Sequence, residues 1–146
     1  MQNIYIIDNL CLDFFINQPD VVLAKQRIDL LSSGSIYFSV NLIPSIKQTL
    51  YETFGLNLSK IDSIPMRWIK GDSSPNIDKC SSSFYKTYLV YLTDSLGKLF
   101  IDGIPYPITK GNAYVFSEWS SHETIGTGLE PRLLIGPMNE NGIAVG

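Results

Sequence analysis

A chain of 146 residues that is 45% hydrophobic can bury one sizeable core, whereas two domains of half that length would each be marginal. Eleven Lys and Arg against fourteen Asp and Glu give a formal charge of −3 with the basic residues scattered singly, which excludes a phosphate-backbone binder, a polybasic membrane patch and a charge-run import signal. Asp8, Asp13 and Asp20 interrupt the first twenty residues, where no basic cluster precedes an apolar run, so neither a secretory leader nor a membrane span is expected and an intracellular setting, cytoplasm or nucleus, is.

In chain order, the first expected strand is 3–8 (NIYIID), where β-branched and aromatic residues crowd together before Asp8 and Asn9 break the run. Cys11 follows; with Cys80 it makes too few thiols to staple a fold of this size, and both are expected free in a reducing compartment. Residues 21–33 predict a helix capped by Asp20 and ended by Gly34, with Val21, Leu23, Ile28, Leu30 and Leu31 on one face. A short strand, 35–40, comes next. Pro44 then opens a second helix over 45–54, with Ile46, Leu50, Tyr51 and Phe54 at helical spacing and Gly55 just past its end.

From Met66 the pattern changes to strands separated by turns every eight to twelve residues, the spacing of a sandwich or jelly roll. The expected strands are 65–72, 82–94, 97–103 and 104–109 around a Gly103 turn, 112–119 and 130–138, with 120–128 as a connection and 139–146 pairing at an edge or fraying. Tyr88, Val90 and Leu92 against Leu89 and Tyr91 read as the two faces of an ordinary strand. The fold class is therefore mainly β with about two N-terminal helices, in a single domain of 1–146 divided into an α/β region (1–63) and a β-rich body (64–146).

His122 is the single histidine. Gly111 stands eleven residues upstream, the Gly-to-His spacing of the second cupin motif, although Ser117 and Trp119 occupy that motif's proline and glycine slots. Asn76, Ile77 and Asp78 resemble the His-X-Asp element of iron(II)/2-oxoglutarate oxygenases, with His122 at the distal-histidine position and Arg132 at the downstream basic position that holds the 2-oxoglutarate carboxylate. Residues two apart on a strand point the same way, so Asn76 and Asp78 can face one barrel interior that His122 and Arg132 reach from later strands. Asn76 stands where the resemblance calls for an imidazole, which leaves Asp78 and His122 as two metal ligands and a site that would hold iron weakly. Cys80 could add a third, softer ligand.

Residues 69–146 also look like a small cupin-like, double-stranded β-helix family of giant DNA viruses, marseillevirus-like, with "HET…PRLLIGPM" as the most specific block. That resemblance implies a ligand lost at Asn76 and a Trp119 that fills substrate space. Each residue has a plainer alternative: a hydrogen-bonded structural role for His122, an Asx-type turn at Asn76 and Asp78, a surface ion pair of Arg132 with Glu123 or Glu130. The expected function is a degenerate, non-catalytic binding or structural module without a resident cofactor, meeting a protein partner or a second copy through Trp68, Trp119 or Tyr85, and binding neither nucleic acid nor membrane. The alternative is an oxygenase using Fe(II) and 2-oxoglutarate, with Asp78 and His122 on the metal and Arg132 on the 2-oxoacid; a sugar or small-molecule binder is a third reading.

Overall fold

The computed structural model describes residues 3–77 and 85–145. Strand β1 (Asn3–Ile6) ends near Asp8, whose carboxylate accepts the Leu10 N–H at 2.8 Å and so caps α1 (Asn9–Ile16). The sequence does not predict α1, because Asp8 and Asn9 read equally well as strand breakers. Helix α2 (Pro19–Asp29) is capped at Gln18 and not Asp20: Pro19 takes the first turn, where its missing N–H costs nothing, and Asp20 follows it there, favourably placed against the helix dipole. Its buried face is Val21, Ala24 and Ile28, whereas Leu23, Leu30 and Leu31, expected on that face, are exposed. After β2 (Gly34–Asn41), α3 (Pro44–Phe54) buries Ile46, Leu50 and Phe54 and stops at Gly55, whose φ of +78° suits a residue without a Cβ.

Eight further strands follow: β3 (Ser63–Lys70), β4 (Ser73–Ile77), β5 (Lys86–Tyr91), β6 (Lys98–Ile101), β7 (Ile104–Pro107), β8 (Asn112–Ser117), β9 (Ser121–Ile125) and β10 (Arg132–Met138). They form two antiparallel sheets, β1-β8-β5-β10-β3-β2 and β4-β9-β6-β7. From β3 onward the chain changes sheet at every connection except the β6–β7 hairpin, which gives the mainly β, double-stranded β-helix sandwich expected. That hairpin turns on Asp102 and Gly103, both at positive φ, which matches the right-handed twist of the paired strands. Residues 73–77 form a strand, as the placement of Asn76 on a strand expects, and not the alternative Asx turn; the connection at 120–128 differs from expectation in containing β9. The tail pairs, with a bridge from Met138 to Ala144 and Val145 buried.

The six-stranded sheet has apolar layers on both faces. Outside, α1, α2 and α3 cover Tyr88, Val90, Val115, Leu133 and Ile135 with Phe15, Ile28 and Leu50. Inside, facing the smaller sheet, lie Leu89, Tyr91, Tyr114, Phe116 and Leu134 against Leu99 and Ile101. Among the described residues no helix is long and apolar enough to cross a membrane.

Candidate functional site

Strand alternation supplies the site. On β10, Leu133 and Ile135 join the helix-covered layer while Leu134 and Arg132 point inward. Arg132 pairs with Ile69 and Leu134 with Arg67 on β3, so two guanidinium side chains occupy diagonal positions on the inner face. Tyr91 of β5 sits opposite Leu134 from the other side.

The facing sheet completes the enclosure. Thr124 and His122, two apart on β9, point inward, and β4 sets Ser73 opposite Thr124 and Asn76 opposite His122. Ser73 and Asn76 are three apart, which on a regular strand would send them to opposite faces. A register shift between them absorbs the extra residue, so both line the cavity, Ser73 partly buried and Asn76 at its exposed edge. Ser73 and Thr124 are locked together by hydroxyl contact at 2.7 Å and by the Ser73 N–H donating to Thr124 Oγ1 at 3.0 Å.

These residues line a cavity of about 90 Å³. At roughly 30 Å³ per water molecule it holds a few waters or a small organic acid. Arg132 is its most unusual wall. The side chain is 1% exposed; Nη1 donates to the Gly71 carbonyl at 2.7 Å and Nη2 to Thr124 Oγ1 at 2.8 Å, while the buried Nε–H makes no hydrogen bond. Among the described residues no carboxylate forms an ion pair with it. Burial pulls its pKa below the ordinary arginine value, opposed by the neighbouring Tyr91 and by the charge of Asp72. Tyr91 is pushed up, first by its own burial. Asp72 itself accepts hydrogen bonds from the Thr127 hydroxyl at 2.7 Å and the N–H groups of Thr127 and Gly126, which hold its carboxyl below the usual range and fasten the β3–β4 turn to the end of β9.

The structure thus brings Asn76, His122 and Arg132 to one cavity, while Asp78 and Cys80 lie outside the described residues. Several expectations are corrected. Arg132 is no surface partner of Glu123 or Glu130, because strand parity turns it inward. Trp119 sits on the β8–β9 turn, 78% exposed, and does not line the cavity. Trp68 is buried, its indole N–H donating to the Val21 carbonyl at 3.0 Å, so it offers no partner surface. Gly111 does make the positive-φ turn before β8, but His122 lies one strand later, on the opposite sheet, with its ring 5.2 Å from that of Phe116. Cys11 is a free, buried thiol pushed up to about 12 by burial and by the charge of Asp8, and therefore unreactive. Arg67 and Thr124 line the cavity without a sequence signal beyond the inward parity of Arg67 with Ile69, and Tyr91, read as part of an ordinary strand face, lines it too.

An iron(II) centre of the two-histidine, one-carboxylate type does not fit the described residues. They supply one imidazole and an amide, and no group of three His, Cys, Asp or Glu gathers among them.

No family model matches the sequence, and no curated protein matches it. Among solved structures, a prolyl-4-hydroxylase from Pseudomonas putida is similar over 92% of this chain and 89% of its own, at 12% identity and a TM-score of 0.55. An oxidoreductase of the 2OG-Fe(II) oxygenase family from Burkholderia pseudomallei (87% and 84% covered, 10% identity, TM-score 0.47) and a salicylate 1,2-dioxygenase from Pseudaminobacter salicylatoxidans (68% and 25%, 8%, 0.39) are more distant. The fold is that of the double-stranded β-helix, shared along nearly the whole chain with the Pseudomonas hydroxylase.

Proposed function

We propose that this chain is a non-catalytic β-helix module that captures a small carboxylate in the cavity around Arg132, and that it derives from the intracellular cupin-like proteins of giant DNA viruses which residues 69–146 resemble. One observation carries the reading: a fully buried guanidinium, with an unused Nε–H, that forms no ion pair with a described carboxylate, Asp72 acting on it only from a distance. Burying an unpaired cation is costly, and the cost is relieved when an anion arrives to share its protons. Gly71 and Thr124 fix the planar group from one side, while Tyr91 and Arg67 add a hydroxyl and a second positive charge to the same wall. No metal or organic cofactor is required for such capture.

Asn76 opposite His122 supports the absence of turnover, since an amide replaces the imidazole that iron would need. With Fe(II), ascorbate and 2-oxoglutarate, the protein should form no succinate above a His122→Ala control; succinate that this control abolishes would overturn the proposal.

The second reading, an iron(II)/2-oxoglutarate oxygenase, is favoured by the meeting of Asn76, His122 and Arg132 at one cavity and by the fold of the Pseudomonas hydroxylase. It requires Asp78 on the metal beside His122. If those two stand in ligand geometry, Asn76→His should complete a triad, and Ni(II) or Co(II) should stabilise that variant alone, by about 2.7 kcal/mol at a hundredfold excess over the dissociation constant, reversibly with EDTA. A protein partner or a second copy meeting the exposed Tyr85 and Trp119 belongs to the same proposal; sedimentation of the parent and of Trp119→Ser reads it.

A further inference from the structure

A second concavity lies on the opposite, helix-covered side of the six-stranded sheet. It is a groove of about 450 Å³ beside α2, within the range of small-molecule sites, roughly 300–1,000 Å³. Its floor is Val21, Trp68, Leu92 and Leu133, all buried in the outer apolar layer, and Val22 stands half-exposed at its wall. Among the described residues two charged side chains line it, Lys25 and Lys110, and no acid does.

The two lysines are available to an anion for different reasons. Lys25 holds its Nζ 5.7 Å from the centre of the Trp68 ring, over the floor, and its ion pair with Asp29 at 2.9 Å is solvent-exposed on both sides. Such a pair contributes little, so a competing carboxylate displaces it readily. Lys110 forms no ion pair among the described residues; Asp94 accepts its backbone N–H instead. An apolar trough with two lysines in its lining is complementary to a hydrocarbon chain ending in an anion.

We propose that this groove binds a medium-chain aliphatic carboxylate, its chain along Trp68, Leu92 and Leu133 and its head group at Lys25 and Lys110. The site is separate from the Arg132 cavity and does not depend on the reading given to it.

The sequence holds two tryptophans, so a Trp119→Phe variant leaves Trp68 as the sole indole reporter. Decanoate, titrated below its micelle concentration, should change Trp68 emission saturably. Octanoate should bind roughly tenfold more weakly, having two fewer methylenes to bury. Decanol should bind several-fold more weakly than decanoate; Lys110→Gln should narrow that difference and Lys25→Gln with Lys110→Gln should remove it, whereas Lys98→Gln on the other sheet should leave it intact. The proposal is overturned by an unsaturable response or by equal binding of decanoate and decanol to the parent. Loss of decanoate binding in Arg132→Met but not in Lys110→Gln would overturn it too, by assigning the acid to the inner cavity. So would a parent that sediments as a dimer and does not respond to decanoate, because a second copy would then be covering the groove.

Discussion

The two faces of the six-stranded sheet solve opposite problems with one set of strands. Outward, β5, β8 and β10 give Val90, Val115, Leu133 and Ile135 to an apolar layer covered by three helices, and among the described residues no charged side chain is buried in it. Inward, the same strands give an apolar half around Tyr114 and Phe116 and then, toward Arg132, a half built from cationic and hydroxyl groups. The first face follows the rule that buried surface is apolar; the second breaks it at considerable electrostatic cost. A single alternation on β10, Arg132 inward and Leu133 outward, divides them. Among the described residues the buried cation has no carboxylate in an ion pair with it, so the two faces should respond to substitution in different ways.

The largest effect belongs to the sealed face. Phe15 is fully buried between α1 and the sheet, and Phe15→Ala should cost about 3–5 kcal/mol in urea unfolding. A loss below about 1 kcal/mol would mean that the helices are not well packed on the sheet, and that the two faces differ less than the packing indicates.

On the inner face a smaller loss should come from Thr124→Val, which keeps the shape but removes the acceptor for Arg132 Nη2 and for the Ser73 N–H. Leaving a buried charged donor unsatisfied should cost about 1–3 kcal/mol by the same urea measurement. If Thr124→Val is as stable as the parent, the guanidinium is not fixed by its neighbours.

The smallest effect is one of pH. Hydrogen bonds from Thr127 and Gly126 lower the folded-state pKa of Asp72 below its unfolded value of about 3.9. Its contribution is therefore present above the unfolded value and lost as pH falls through the folded one. The parent should melt above Asp72→Asn at neutral pH, and the gap should close on acidification. A gap that stays constant from neutral to strongly acid pH would remove Asp72 from the clasp that fastens the turn.

Much of this architecture was legible in the sequence, and the parts that were not have identifiable causes. Period-two alternation and turn residues locate most of the strands after Met66, and Gly103 marks the hairpin turn, where the structure finds positive φ at Asp102 as well. The same alternation brings His122 and Arg132 inward. It places Asn76 on the cavity side of β4 but does not show Ser73 there too, because nothing local announces the bulge that brings both to one face. It does not separate the two tryptophans offered as partner surface: Trp119 stands in solvent, while Trp68 is turned into the core by its strand. Helix α1 was hidden because an aspartate before an apolar run caps a helix or ends a strand with equal ease. The charge balance of Arg132 depends on which carboxylates the fold brings near, a long-range property absent from any one segment.

The account's central claim is that Arg132 holds a carboxylate without help from a metal. Calorimetric titration of the parent with oxalate, succinate and 2-oxoglutarate in EDTA, beside Arg132→Met, tests it most directly. The account predicts saturable binding of at least one acid to the parent and none to the variant, which should lose no more than about 1 kcal/mol of stability because a flexible apolar chain replaces a costly buried charge. Equal binding to both proteins, or binding to the parent only after iron is added, would contradict it.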